Sequence, residues 1–95
     1  MIINFSDEET KRIYNQEFSK KLPVNIQSVA LRKLIMINNS NKISDLSVPP
    51  GNRLEKLSGR ESDQWSIRIN DQWRIVFTSI NEGQDYKDVH IVDYH

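Results

Sequence analysis

A strand, two helices and a meander of about four antiparallel strands, with the helices covering one sheet face, is the order this chain predicts: a two-layer α+β fold. Three observations carry that expectation. Apolar Ile26, Val29, Ala30, Leu34 and Ile37 recur at steps of three and four, the period of a helix lying on a sheet. Two later runs, Trp65-Ile67-Ile69 and Trp73-Ile75-Phe77, alternate with other residues as half-buried strands do. Between the helix and these runs, Val48-Pro49-Pro50-Gly51-Asn52 forces a rigid, exposed connection, after which the period changes.

The elements follow in order. Ile2-Ile3-Asn4-Phe5 reads as a short strand, and Ser6, three residues before Glu9, gives the spacing of a capping box, so the first helix starts near Asp7. Ile13, Tyr14 and Phe18 are its candidate apolar stripe, interrupted at Lys20-Lys21-Leu22-Pro23 because a residue before proline is driven from helical angles. The second helix covers Asn25 to Met36 and gives way at Asn38-Asn39-Ser40-Asn41. Arg53 to Leu57 form a strand that must bend, since Leu54 and Leu57 are three apart. A three-residue loop at Asn70-Asp71-Gln72 aligns Ile69 with Trp73, Ile67 with Ile75 and Trp65 with Phe77, which keeps one face apolar. A two-residue loop would set Ile67 against Arg74. A loop over Asn81-Glu82-Gly83-Gln84 leads into a last strand from Asp88 to Asp93.

Composition narrows the function. The chain has 95 residues, which suits one domain over 1–95, and at 37% hydrophobic and 27% charged its core is thin. No apolar stretch reaches the roughly 18–20 residues of a membrane span and no signal peptide opens the chain, so a soluble intracellular protein is expected, with no membrane partner. The absence of cysteine removes disulfides and thiolate chemistry, and His90 and His95 are too few for a histidine-rich metal site, so neither metal nor cofactor is expected. No Gly-rich phosphate loop or Gly-x-Ser-x-Gly elbow is present. Thirteen basic residues balance thirteen acidic ones, which argues against a generic nucleic-acid coat and makes any such contact local.

Two places carry candidate chemistry. In the chosen register Arg68 faces Arg74 on the side away from the tryptophans, a like-charge pair that costs a few tenths to about 1 kcal/mol. Either both are solvated on an exposed face or an anion sits between them; Arg53 and Lys56 enter nearby and raise the basic density, and a phosphate ligand fits. The second place is Asp93-Tyr94-His95, where an imidazole offers acid–base chemistry near neutral pH and a tyrosine offers a stacking face; a plain strand end is equally consistent. His90 reads as a strand surface residue.

These residues resemble a known family. Pro49 to Gly59 (PPGNRLEKLSG), Trp65 to Ile75 (WSIRINDQWRI) and Val92-Asp93-Tyr94-His95, with Phe5-Ser6 and Arg32-Lys33-Leu34, are similar in order and along the whole length to the HigB toxins of the RelE superfamily. The resemblance implies a RelE-like fold and a bacterial, cytoplasmic type II toxin: a metal-free, ribosome-dependent endoribonuclease that cuts mRNA in the decoding (A) site. It also implies a HigA-type helix-turn-helix antitoxin as partner, through which alone the protein reaches operator DNA. Arg74 then matches the arginine on the scissile phosphate, with Arg68 assisting, and Arg53 and Lys56 bind substrate. Asp93, Tyr94 and His95 match the catalytic tail, with His95 as general acid. Glu55 stands where some members carry histidine and others a glutamate base, and Ser58 stands near where some carry lysine. A rival reading is a RelE-like binding module without catalysis that serves as co-regulator of its antitoxin repressor.

Overall fold

A computed structural model describes residues 1–57 and 63–94; the position of Ser58 and that of His95 lie outside these residues. Helices α1 (Glu8–Tyr14) and α2 (Val24–Asn39) precede strands β1 (Glu55–Lys56), β2 (Gln64–Arg68), β3 (Trp73–Ile80) and β4 (Asp85–Asp93), with short 3-10 turns at Ile43–Ser47, Pro50–Asn52 and Asn81–Gly83. The sheet is antiparallel in the order β1-β2-β3-β4. The expected α+β layering is therefore present, with both helices on one face.

Helix α1 is capped by Asp7, whose Oδ1 accepts the Thr10 N–H at 2.7 Å; the carboxylate takes the role that the capping-box spacing assigns to Ser6. The helix stops at Tyr14 because Gln16 turns left-handed (φ 63°), so Phe18 lies beyond its stripe and is exposed. The link to α2 is held instead by polar groups: Ser19 Oγ donates to Glu9 at 2.7 Å, and the Gln27 amide donates to the Ser19 and Leu22 carbonyls at 2.8 and 2.9 Å. Helix α2 buries Ile26, Ala30, Leu34 and Ile37 against Ile67, Ile75, Phe77, Tyr86, Val89 and Ile91. Each such side chain taken fully from water contributes about 1.5–3 kcal/mol. Phe77 and Tyr86 meet edge to face at 5.2 Å, and the Tyr86 hydroxyl bonds Ser40 Oγ at 2.5 Å, so the deepest phenol carries its polar group satisfied.

The β2–β3 register is the one expected from a three-residue loop: Trp65 opposite Phe77, Ile67 opposite Ile75 and Arg68 opposite Arg74. Asn70 Oδ1 closes that loop by accepting the Gln72 and Trp73 N–H groups at 2.9 and 2.8 Å. Three expectations change. Residues Ile2 to Phe5 make two isolated parallel bridges to β4, at Tyr86 and Val89, rather than a strand. The first strand shortens to two residues, and β4 begins at Asp85 because the preceding loop tightens into the Asn81–Gly83 turn. Gly83 has φ +94°, and a Cβ there would stand 2.3 Å from the Ile43 nitrogen, so only glycine fits.

Candidate functional site

Strand alternation decides which side chains share the face away from the helices. The pairings Glu55–Ser66, Ser66–Val76 and Val76–His90 set one row across that face, and Arg68–Arg74 and Arg74–Val92 set the next. Tyr94 follows β4 and is tied by its N–H to the Gln72 carbonyl at 2.5 Å, which brings its ring beside Arg74.

Arg74 is the centre. Only 9% of its surface is exposed, so the solvated-arginine reading does not hold for it. Its Nη2 donates to the Arg53 carbonyl at 2.6 Å, its Nη1 reaches Glu55 Oε2 at 3.4 Å, and its guanidinium carbon lies 5.3 Å from the Tyr94 ring centre. Among the described residues its Nε has no protein partner, and neither does the buried hydroxyl of Ser66 diagonally across the strand pair. Buried donors without partners are rare. A guanidinium held on two sides, with its Nε–H unpaired among the described residues, is oriented for an anion carrying several oxygens.

Neighbouring residues fix this geometry. Arg53 takes a left-handed conformation (φ 46°, ψ 54°) at the end of the Pro50–Asn52 turn, which aims its carbonyl at Arg74. That turn is pinned by Asn52, fully buried, whose Nδ2 donates to the Leu46 carbonyl at 3.1 Å. Arg68 is engaged by Asp71 of its own hairpin, and its carbonyl accepts from Lys33 Nζ of α2 at 2.5 Å. Burial, and after it the charges of Arg32, Arg68 and Arg74, hold the Lys33 ammonium below the usual lysine range. Asn52 and Lys33 are the supports that the sequence reading missed as such. An asparagine directly after Pro-Pro-Gly, and a lysine on the core-facing period of α2, were the available signals.

Of the expected site residues, the structure gathers Arg74, Glu55 and Tyr94, with Arg53 joining through its backbone and Arg68 one strand away. Lys56 is not with them. It pairs with Trp65 and its ammonium lies 5.8 Å from that ring, because adjacent strand residues point to opposite faces. Asp93 stands opposite Trp73, also on the helix side, and its carboxylate accepts from Gln72 Nε2 at 3.0 Å. His95 lies outside the described residues.

Two helices on a four-stranded antiparallel sheet form the RelE-like toxin fold. The solved structure of a YoeB/ParE toxin from Agrobacterium tumefaciens superposes with a TM-score of 0.52 at 16% identity, covering 99% of this chain and 96% of the other. A family model described as RelE-like toxin of type II toxin-antitoxin system HigB matches residues 3–95. Toxin HigB-1 of Vibrio cholerae serotype O1 is 36% identical over 78 residues, covering 81% of this chain and 82% of that protein. An uncharacterized protein of Haemophilus influenzae is 40% identical over 75 residues, covering 78% and 74%. The chain belongs to the HigB family of RelE-like toxins. As a type II toxin it has an antitoxin for a partner. Among the described residues no helix is long and apolar enough to cross a membrane.

Proposed function

We propose that the protein is a ribosome-dependent mRNA endoribonuclease of the bacterial cytoplasm, silenced by a HigA-type helix-turn-helix antitoxin through which it meets operator DNA. The observation that carries the reading is the buried Arg74 guanidinium, oriented by the Arg53 carbonyl and Glu55, with its Nε unpaired and an aromatic ring alongside. In this reading the ribose 2′-oxygen attacks the adjacent phosphorus and the bond to the 5′-oxygen breaks, giving a cyclic phosphate and a free 5′-hydroxyl. Arg74 neutralises the charge gathering on the phosphoryl oxygens, with Arg68 assisting. Glu55 accepts the 2′-hydroxyl proton and His95 delivers one to the departing 5′-oxygen. Tyr94 stacks on the base and Asp93 steadies the tail through Gln72. A chain of balanced charge has little means of holding free RNA, so the ribosome supplies the oriented codon.

The test maps new mRNA 5′ ends in cells briefly expressing the protein or its His95→Gln variant. Cuts within codons are expected from the parent, and a rate lower by about 10²–10⁴-fold from the variant, the range for a lost general acid. No new 5′ ends alongside intact antitoxin binding is the outcome that the non-catalytic co-regulator reading expects. Cutting by His95→Gln at the parent's rate removes His95 from the mechanism.

A further inference from the structure

Helix α2 carries a second apolar stripe. Its core side is Ile26, Ala30, Lys33, Leu34 and Ile37. Exposed Val24, Ser28 and Ile35, with Leu31 in the same row but partly packed on the core, stand away from that side at i, i+4, i+11 and i+7, the spacing of a helix–helix seam. Val24 is 71% and Ile35 43% exposed. Beside the stripe, Ile13, Gln16, Glu17, Phe18, Gln27 and Leu31 line a cleft of about 260 Å³ into which Leu31 leads. Phe18, 61% exposed, is not a loose loop residue: the Ser19 and Gln27 hydrogen bonds fix the backbone on its C-terminal side, and Gln16 and Glu17 bond back to Ile13 and Arg12 at 2.9 and 2.8 Å. An aromatic side chain presented on an ordered backbone is what an interface anchor requires, since little freedom is lost when it is covered.

Charge selects among occupants. Between Glu8 and Met36, leaving out Lys33 on the core side, five basic residues meet three acidic ones, a surplus of +2 in a chain whose formal charge is zero. Lys20 and Lys21 sit with Phe18, Glu9 and Arg12 in an adjoining cleft, where Arg12 is paired with Glu9 and Glu17 and the two lysines carry the excess charge, and Arg32 flanks the stripe. Among the described residues Lys20, Lys21 and Arg32 make no ion pair. Two copies of this surface repel, and a nucleic acid gains nothing from Val24, Leu31 and Ile35. We propose that the outer face of α2, with Phe18 and the Lys20-Lys21 rim, is the surface on which the antitoxin docks, through an amphipathic helix with an apolar seam and an acidic flank. It rests on the family membership rather than on RNA cleavage. The surface lies on the helix side of the sheet and Arg74 on the other, so neutralisation and chemistry are separable by mutation.

Val24→Glu/Ile35→Glu and Lys20→Glu/Lys21→Glu change only exposed positions. Binding of each full-length variant to its purified antitoxin is measured by titration calorimetry, with a thermal melt to confirm folding. The apolar double variant is expected to bind at least 100-fold more weakly, and the charge-reversed one about 10-fold more weakly with its salt dependence reduced. Expressed alone, both arrest growth as the parent does, and co-expressed antitoxin no longer rescues the apolar double variant. Binding within threefold of the parent for both variants overturns the proposal. So does a parent that is a dimer at micromolar concentration, with Val24→Glu/Ile35→Glu monomeric yet antitoxin-competent, which assigns the stripe to a second copy. Loss of growth arrest in Lys20→Glu/Lys21→Glu with antitoxin binding intact assigns the rim to ribosomal RNA and equally overturns it. Because binding is read directly, failure of the nuclease reading leaves this test standing.

Discussion

Replacing Arg74 by lysine keeps the positive charge and removes the planar fork. In the structure the fork serves two protein partners at once, the Arg53 carbonyl at 2.6 Å and Glu55 at 3.4 Å, while resting beside Tyr94. A charge-assisted hydrogen bond to a carbonyl contributes about 1.5–3 kcal/mol. The Glu55 pair is half-exposed and contributes at most about 1 kcal/mol, and the Tyr94 contact about 0.5–1 kcal/mol. Lysine can keep one of the three, so the expected loss is about 1–2 kcal/mol, a fall in Tm of roughly 5–15 °C for a domain of this size. Simple like-charge repulsion between Arg68 and Arg74 predicts no change, since lysine keeps the charge. Each arginine has its own acid, Asp71 for Arg68 and Glu55 for Arg74, so there is little repulsion to relieve. On the proposed chemistry the same variant slows mRNA cleavage by about 10²–10³-fold, the usual cost of one oriented donor. Differential scanning calorimetry and 5′-end mapping on one preparation check both halves. A variant that melts within about 2 °C of the parent and cuts within about threefold of its rate refutes the argument that the fork, rather than the charge, is what this position requires.

Two further predictions concern buried titrating groups. Lys33 is held below 10.5, first by burial, so between that lowered value and 10.5 the unfolded chain binds more protons and stability rises with pH; Lys33→Met should flatten this rise in urea melts, with a change at neutral pH within about 1 kcal/mol because the lost bond to the Arg68 carbonyl offsets the relieved charge burial. Tyr86 is pushed above 10.0, first by burial, so the stability present below 10.0 is lost as pH rises past it; Tyr86→Phe should cost about 1 kcal/mol at neutral pH through the Ser40 bond and remove the alkaline loss, and an unchanged alkaline slope would remove Tyr86 as its cause.

The hairpin at Asn70-Asp71-Gln72 was legible because alternation leaves one loop length that keeps Trp65, Ile67, Ile75 and Phe77 on a common face. The opposition of Arg68 and Arg74 followed directly. Less legible was what surrounds Arg74. The Arg53 carbonyl that binds it depends on a left-handed turn after Pro-Pro-Gly and on buried Asn52, contacts between segments that no local period encodes. The separation of Lys56 from Glu55 was available and overlooked, since neighbours in a strand cannot share a face. Helix α1 ends early for a reason invisible to propensity: Ser19 and Gln27 satisfy the backbone better as a turn, which leaves Phe18 outside.

The bridges from Ile2 and Phe5 to β4 have a consequence for how the chain is made. The Tyr86 N–H donates to the Met1 carbonyl at 2.9 Å and its carbonyl accepts from Ile3 at 2.7 Å, so residues more than eighty positions apart border one another. Elongation at about 5–20 residues per second delivers β4 seconds after the amino terminus. A nascent chain that has not reached Asp85 lacks Tyr86, Val89 and Ile91 from its core and has nothing to zip against Met1 to Phe5. Contacts of such sequence separation form late and steeply, since loop closure precedes any reward. The fold is thus withheld from any chain that stops short of β4. In a toxin this ties the competence to act, and to be captured, to the emergence of β4.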